Sequence, residues 1–155
     1  MIDVWKPHAT VAAVVERGGR FLLVEETTGT GLRINQPAGH LEAGESLLAA
    51  VVRETLEESA YDFVPEALLG VYLMPTGTAP ADVTYLRVAF TGSLGAFHEH
   101  RALDPDIVRT LWLTRDELAQ QRERLRSALV LECVDDYLAG RRGALELVSY
   151  TVLTT

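Results

Sequence analysis

The sequence predicts a mixed α/β fold with layered packing. Three observations carry that expectation. Apolar, β-branched segments of strand length dominate the first half, one amphipathic helical stretch lies among them, and helical periodicity gathers toward the C-terminus.

Taken in order, residues 9–15 and 20–26 flank Glu16-Arg17-Gly18-Gly19, which reads as a β-hairpin. Residues 27–31 form a Thr/Gly-rich loop, and residues 32–41 hold Pro37 and Gly39 and are not expected to be helical. A helix is expected from about Ser46 to Ser59, with Ser46 or Glu45 serving the exposed N–H groups of its first turn. Strands follow at residues 67–74 and 84–91, punctuated by Pro75, Gly77 and Pro80, and residues 92–105 read as a long loop. Residues 107–113 are a further strand. Thr114 and Glu117 then spell a capping box that opens a short helix. Residues 127–139 form an amphipathic helix that Gly140 is placed to end, and residues 145–152 are expected to be a last strand.

With 155 residues, the chain is expected to form one domain over residues 1–155, and its 48% hydrophobic content is enough for a sizeable core. Its net charge of -8, from 22 acidic and 14 basic residues, argues against a nucleic-acid polymer as partner. A small phosphorylated ligand stays open, because a divalent cation offsets local charge. Cys133 is the single cysteine, so neither an intrachain disulfide nor a CxxC metal site is available; it falls on the apolar stripe of its helix. No signal peptide is visible and no apolar run approaches the ~20 residues that span a bilayer, so a cytoplasmic protein without membrane partners is expected. Nothing in the sequence addresses the oligomeric state.

The informative segment runs from Gly39 to Glu58. At about 100° per residue, Glu58 lies about 40° to one side of Glu54 and Glu57 about 60° to the other. Three carboxylates therefore share one helix face, while Leu48, Val51, Val52, Thr55 and Leu56 cover another arc. Glutamates on one face read by themselves as a solvated acidic surface. Here they lie at the helix end where the dipole disfavours anions, and like charges four apart repel. A bound cation relieves both costs. Oxygen ligands select Mg²⁺ or Mn²⁺, and the Gly39 carbonyl is a further candidate ligand. Arg53, four residues before Glu57, is placed to orient it.

Gly39, Glu45, Arg53, Glu54, Glu57 and Glu58 match in register the box of the Nudix hydrolase family: Gly, five residues, Glu, seven residues, Arg-Glu, an aliphatic, any residue, Glu-Glu, any residue, Gly, an aliphatic. The chain resembles that family, which implies a mixed β-sheet between α-helices and metal-dependent hydrolysis of a diphosphate linkage. Thr55, Ala60 and Tyr61 depart from the box; none of them carries chemistry. Thr55 is expected to bond back to the Val51 carbonyl, and Ala60 stands where glycine takes a left-handed conformation.

Further segments resemble bacterial phosphatases of the family: Lys6-Pro7-His8, Val24-Glu25-Glu26-Thr27, Asn35-Gln36-Pro37-Ala38-Gly39-His40, Leu86-Arg87 and Leu125-Arg126-Ser127. That resemblance, over roughly residues 6–147, implies a nucleoside tri- and diphosphatase that also hydrolyses hydroxymethylpyrimidine diphosphate. A pyrophosphatase for dinucleotides or sugar nucleotides of the ADP-ribose type is the alternative, with a non-catalytic binding module as a third reading.

Arg53, Glu54, Glu57 and Glu58 are the candidate catalytic residues, and Gly39 joins the three glutamates as candidate metal ligands. Arg87, Arg126, Gln36 and His40 are the candidate substrate contacts. Arg87, in an apolar strand, either binds phosphate or faces outward. Asp104-Pro105-Asp106 reads either as a plain turn or as the source of a further carboxylate.

Overall fold

The computed structural model describes residues 4–77 and 82–153; Pro80, expected in a connection, lies outside them. Strand β1 (His8–Val14) leads into β2 (Glu16–Arg17), β3 (Arg20–Thr28), β4 (Gly31–Asn35) and β5 (Ala38–His40). Helix α1 (Leu47–Ser59), the long strands β6 (Tyr61–Pro75) and β7 (Thr84–Phe97), β8 (Ile107–Leu113), α2 (Arg115–Gln120) and α3 (Leu129–Leu138) complete the order.

Among the described residues the strands form two four-stranded sheets. The first is mixed, in the order β5-β1-β7-β6, with β1 parallel to β7. In the second, β3 pairs antiparallel with β2, β4 and β8. Helices cover both faces. On β1, Ala12 and Val14 pack toward Val130, Cys133 and Val134 of α3, while Val11 and Ala13 pack toward Ala50 and Val51 of α1. This double burial explains why residues 9–15 are apolar without alternation. Cys133 is buried in that core, as expected from its stripe. None of the described helices is long and apolar enough to cross a membrane.

The local signals fall where the sequence puts them. Ser46 Oγ accepts from the Ala49 N–H at 3.0 Å at the start of α1. Thr114 and Glu117 form the reciprocal capping box of α2. Thr55 Oγ1 donates to the Val51 carbonyl at 2.7 Å. Ala60 ends α1 with φ 60° and ψ 16°, the one positive-φ residue other than glycine among the described residues.

Three expectations are corrected. Residues 9–15 and 20–26 are not partners in a hairpin. Only Val15, whose carbonyl accepts from the Leu22 N–H at 2.9 Å, and Glu16–Arg17 fold back on β3, while β1 stays in the other sheet. The apolar runs gave strands but not their pairing, because both are buried on two faces. Residues 92–97 are strand rather than loop. Gly92 permits this, since a Cβ there would lie 2.0 Å from the Val64 carbonyl oxygen. Only glycine lets the two strands pass so closely. Finally, residues 145–152 form no strand; Leu145–Leu147 is a single 3₁₀ turn, and beyond it the chain is irregular up to residue 153.

Candidate active site

The site is built on the C-terminal half of α1 and the β4–β5 segment in front of it. Glu54 and Glu58 point inward and are buried, at 7% and 8% exposure, whereas Glu57 is only half-covered. Burying two carboxylates on adjacent turns is costly unless donors or cations serve them. The Ala38 N–H donates to Glu58 Oε2 at 2.9 Å, and Arg53 donates to Glu54 Oε1 at 2.8 Å. Arg53 also donates to Glu57 at 3.0 Å, to Glu45 Oε1 at 2.7 Å and to the His40 carbonyl at 3.0 Å. One guanidinium thus ties the loop before α1 to two of its glutamates. These bonds, that to Glu45 foremost, raise the Arg53 pKa and lower that of Glu45.

Gly39 faces Glu54. A Cβ at position 39 would lie 2.1 Å from the Glu54 carboxylate carbon, so the bare backbone makes room for that group. Burial raises the Glu54 pKa against the pull of Arg53. Burial pushes Glu58 up to about 8, with the charges of Glu54, Glu26 and Asp104 adding to it and the Ala38 N–H opposing.

Asp104 joins this cluster. Its N–H donates to the Glu57 carbonyl at 3.0 Å. That carbonyl is one of the last in α1 and has no partner within the helix. Capping it draws Asp104 to the glutamates: oxygens of Glu54, Glu57 and Asp104 all lie within 4.8 Å of one another. Opposite ligands of an octahedral Mg²⁺ stand about 4.2 Å apart, so this all-oxygen set fits a hard cation after small adjustments. Asp106 is not in the set. Glu58 stands beside it, committed through one oxygen to Ala38.

A cleft of about 610 Å³ opens against these residues; Gly39, His40, Glu54, Glu58, Arg87 and Arg126 all line it. Arg87, on β7 opposite Thr10, is 7% exposed. It donates to Gln36 Oε1 at 3.2 Å and to Asn35 Oδ1 at 3.3 Å, both neutral amides. Gln36 is 1% exposed, sits behind Arg87 and donates to the Val130 carbonyl at 2.7 Å, so it supports Arg87 rather than lining the cleft. Arg126 lies 3.7 Å from Glu26. The His40 ring packs against His8 and Tyr85, with centroids 5.7 and 6.2 Å away. Trp5 is exposed and does not line the cleft.

Sequence reading missed Asn35 and Glu26, which line the cleft between Arg87 and Arg126. Their signal was the resemblance to bacterial phosphatases, whose segments hold both, with Glu26 in the polar stretch that closes β3 and Asn35 the last residue of β4. Glu25, next door, turns the other way and is held by Arg109 and Arg124.

Comparison with known proteins decides what this arrangement belongs to. Residues 6–132 match the family model described as the NUDIX domain. The chain belongs to the Nudix family. It is 38% identical over 145 residues to Phosphatase NudJ of Escherichia coli K12, covering 94% of this chain and 92% of that one. A solved Nudix hydrolase from Nitrosomonas europaea is 45% identical with a TM-score of 0.89, covering 94% of this chain and 98% of the other. A MutT Nudix hydrolase from Burkholderia pseudomallei, 20% identical with a TM-score of 0.70 over 85% of this chain and 98% of that chain, shares the fold. The protein is therefore a Nudix hydrolase, an enzyme acting on diphosphate bonds, with phosphatase relatives.

Proposed function

We propose that this Nudix hydrolase uses Mg²⁺ or Mn²⁺ to cleave the diphosphate linkage of a small phosphorylated substrate, a nucleoside di- or triphosphate or hydroxymethylpyrimidine diphosphate. The observation that carries this reading is Arg87. It is a buried guanidinium in a cleft, with no carboxylate within 4 Å among the described residues, beside a cluster of acidic oxygens. An unpaired buried cation is costly, and a phosphate group seated on it removes that cost. The similarity to Phosphatase NudJ supports the phosphatase reading over a pyrophosphatase for dinucleotides or sugar nucleotides.

Glu54, Glu57 and Asp104 would hold the cation, with Glu58 and the Gly39 carbonyl beside them. When bound, the cation would lower the pKa of a water and offset charge on the phosphorus oxygens. Arg53 fixes Glu54 and Glu57 in place for that task. Arg87 orients the phosphate chain, with Arg126 and His40 at the cleft wall. Water adds to one phosphorus, the bridging P–O bond breaks, and the proton lost by the water passes to the Glu54 carboxylate.

The test is a panel of nucleoside di- and triphosphates, hydroxymethylpyrimidine diphosphate, dinucleotides and ADP-ribose with Mg²⁺, with products identified by mass spectrometry. Inorganic phosphate from the diphosphates is expected. Nucleoside monophosphates from ADP-ribose or dinucleotides alone would establish the pyrophosphatase instead, and binding without turnover would establish a binding module.

A further inference from the structure

The cleft that holds Arg87 and the acidic helix also holds a carboxyl group that a phosphate-binding site does not need. Glu26, two residues before the end of β3, lines it with its side chain only 17% exposed. Its Oε1 has marginal neighbours, Asn35 Nδ2 at 3.5 Å and Arg126 Nε at 3.7 Å. Its Oε2 accepts no hydrogen bond among the described residues. Asn35 is oriented by Arg87, which takes its Oδ1, so the amide N–H₂ is turned toward Glu26. Burial raises the pKa of Glu26 against the pull of Arg126, Asn35 and Arg87.

A carboxylate in this position repels phosphate oxygens. It therefore stands where the part of the substrate that is not phosphate belongs. The cleft that Glu26 lines has surfaces suited to a flat ring, because Met74 and Leu129 are apolar, Tyr85 is aromatic, and all three line it too. Glu26 Oε2 is not among the buried unpartnered atoms and is open to the cleft, where a substrate N–H donor can meet it in place of water. On a heterocycle, an exocyclic amino group supplies one at the ring's edge; in the oxo counterpart that position presents lone pairs to the carboxylate, and the donor moves to the ring N–H one position away. A buried polar atom without a partner lies next to Arg126: Ser127 also lines the cleft, and its Oγ has no hydrogen-bond partner among the described residues.

We propose that Glu26, flanked by Asn35 and Arg126, reads the substrate's heterocycle and selects rings that carry an exocyclic amino group over their oxo counterparts. This rests on the diphosphatase reading above and names the substrate class within it. Arg87 sorts the two ends of the molecule, with phosphates on its acidic-helix side and the ring toward Glu26.

The experiment compares kcat/KM for cytidine against uridine diphosphate, and for adenosine against inosine diphosphate, in the wild type, Glu26→Ala and Glu26→Gln. Each ratio is internal to one protein, so partial damage to folding cancels. In the wild type the amino form is expected to be favoured at least about tenfold, the worth of one hydrogen bond to a charged group. In Glu26→Ala both ratios should fall to within about twofold of unity, the donor having lost its acceptor. Glu26→Gln, which keeps the shape but not the charge, should narrow both ratios by relieving repulsion of the oxo group. Ratios near unity in the wild type, or unchanged in both variants, overturn the assignment. Methyl diphosphate, which has no ring, separates the two levels: if the wild type cleaves neither it nor any nucleotide, the diphosphatase reading falls and this inference falls with it. If the wild type cleaves them all but shows no ratio, only this inference falls.

Discussion

Gly39 and Glu54 compete for one space, since a Cβ at position 39 would stand 2.1 Å from the Glu54 carboxylate carbon. The obstacle is the far end of a flexible side chain, not backbone. Gly39→Ala should therefore displace the carboxylate while leaving the fold intact. Turnover is expected to fall by about 100-fold, in line with the disturbance of a group that sets a metal site. Stability should change by no more than about 1 kcal/mol. Steady-state kinetics and a denaturant titration check the two halves. Full activity would show that Glu54 does not need its present position.

The metal-free protein should lose stability as pH rises from about 4.5 to 8. Glu58 is pushed up to about 8 by burial, and an unfolded glutamate titrates near 4.5. Between those values the folded chain keeps a proton that the unfolded chain has released, so stability is full below the lower value and is lost as pH rises through the upper one. Glu54 and Glu26, also raised, act in the same direction. Glu25 and Glu45 are lowered, so the stability they contribute is lost only as pH falls below the unfolded value, a separate window. Melting curves from pH 5.5 to 8.5 should show a falling Tm without metal, a recovery at pH 8 with Mg²⁺, and a flatter slope in Glu58→Gln. A Tm independent of both pH and Mg²⁺ would refute the assignment.

What was legible in the sequence was local. The register of Arg53, Glu54, Glu57 and Glu58 follows from the helical period alone, and the caps at Ser46 and Thr114 follow from residues three positions apart. What was hidden depends on distant chain. Asp104 reaches the glutamates because its N–H meets the Glu57 carbonyl, a contact no periodicity encodes. Gln36 looked like a substrate contact, but the fold turns it inward to Val130 and Arg87. The pairing of β1 was unreadable because a strand buried on both faces carries no alternation to fix its neighbours.

Ala60→Gly should be close to neutral. The left-handed conformation, with φ 60°, costs alanine about 1–2 kcal/mol. Against this relief stand the greater entropy of the unfolded glycine chain, about 0.4–1 kcal/mol, and the loss of a buried methyl worth about 0.8 kcal/mol. Ala50→Gly, inside α1 and fully buried, meets the same two losses with no relief. Denaturant midpoints should therefore rank Ala60→Gly above Ala50→Gly; equal losses would show that the Ala60 backbone carries no strain.

Arg87→Ala should raise KM by more than about tenfold, the loss of a charge-assisted contact to phosphate. Its effect on Tm should be small, because removing a buried cation without an acidic partner also removes its desolvation cost. Arg87→Lys should not restore binding, since a single ammonium cannot reproduce the guanidinium fork. A large fall in Tm with KM unchanged would assign Arg87 to structure instead.

The most direct measurement is turnover of a nucleoside diphosphate by the chelated protein, followed by titration with Mg²⁺ or Mn²⁺. Glu54, Glu57 and Asp104 bring their oxygens within 4.8 Å of one another, and a hard cation is what such a set would hold. Activity is expected to vanish in excess chelator, to return as either ion is added, and to saturate at a concentration that Asp104→Asn shifts upward. Undiminished turnover in excess chelator would contradict metal-dependent hydrolysis at this site.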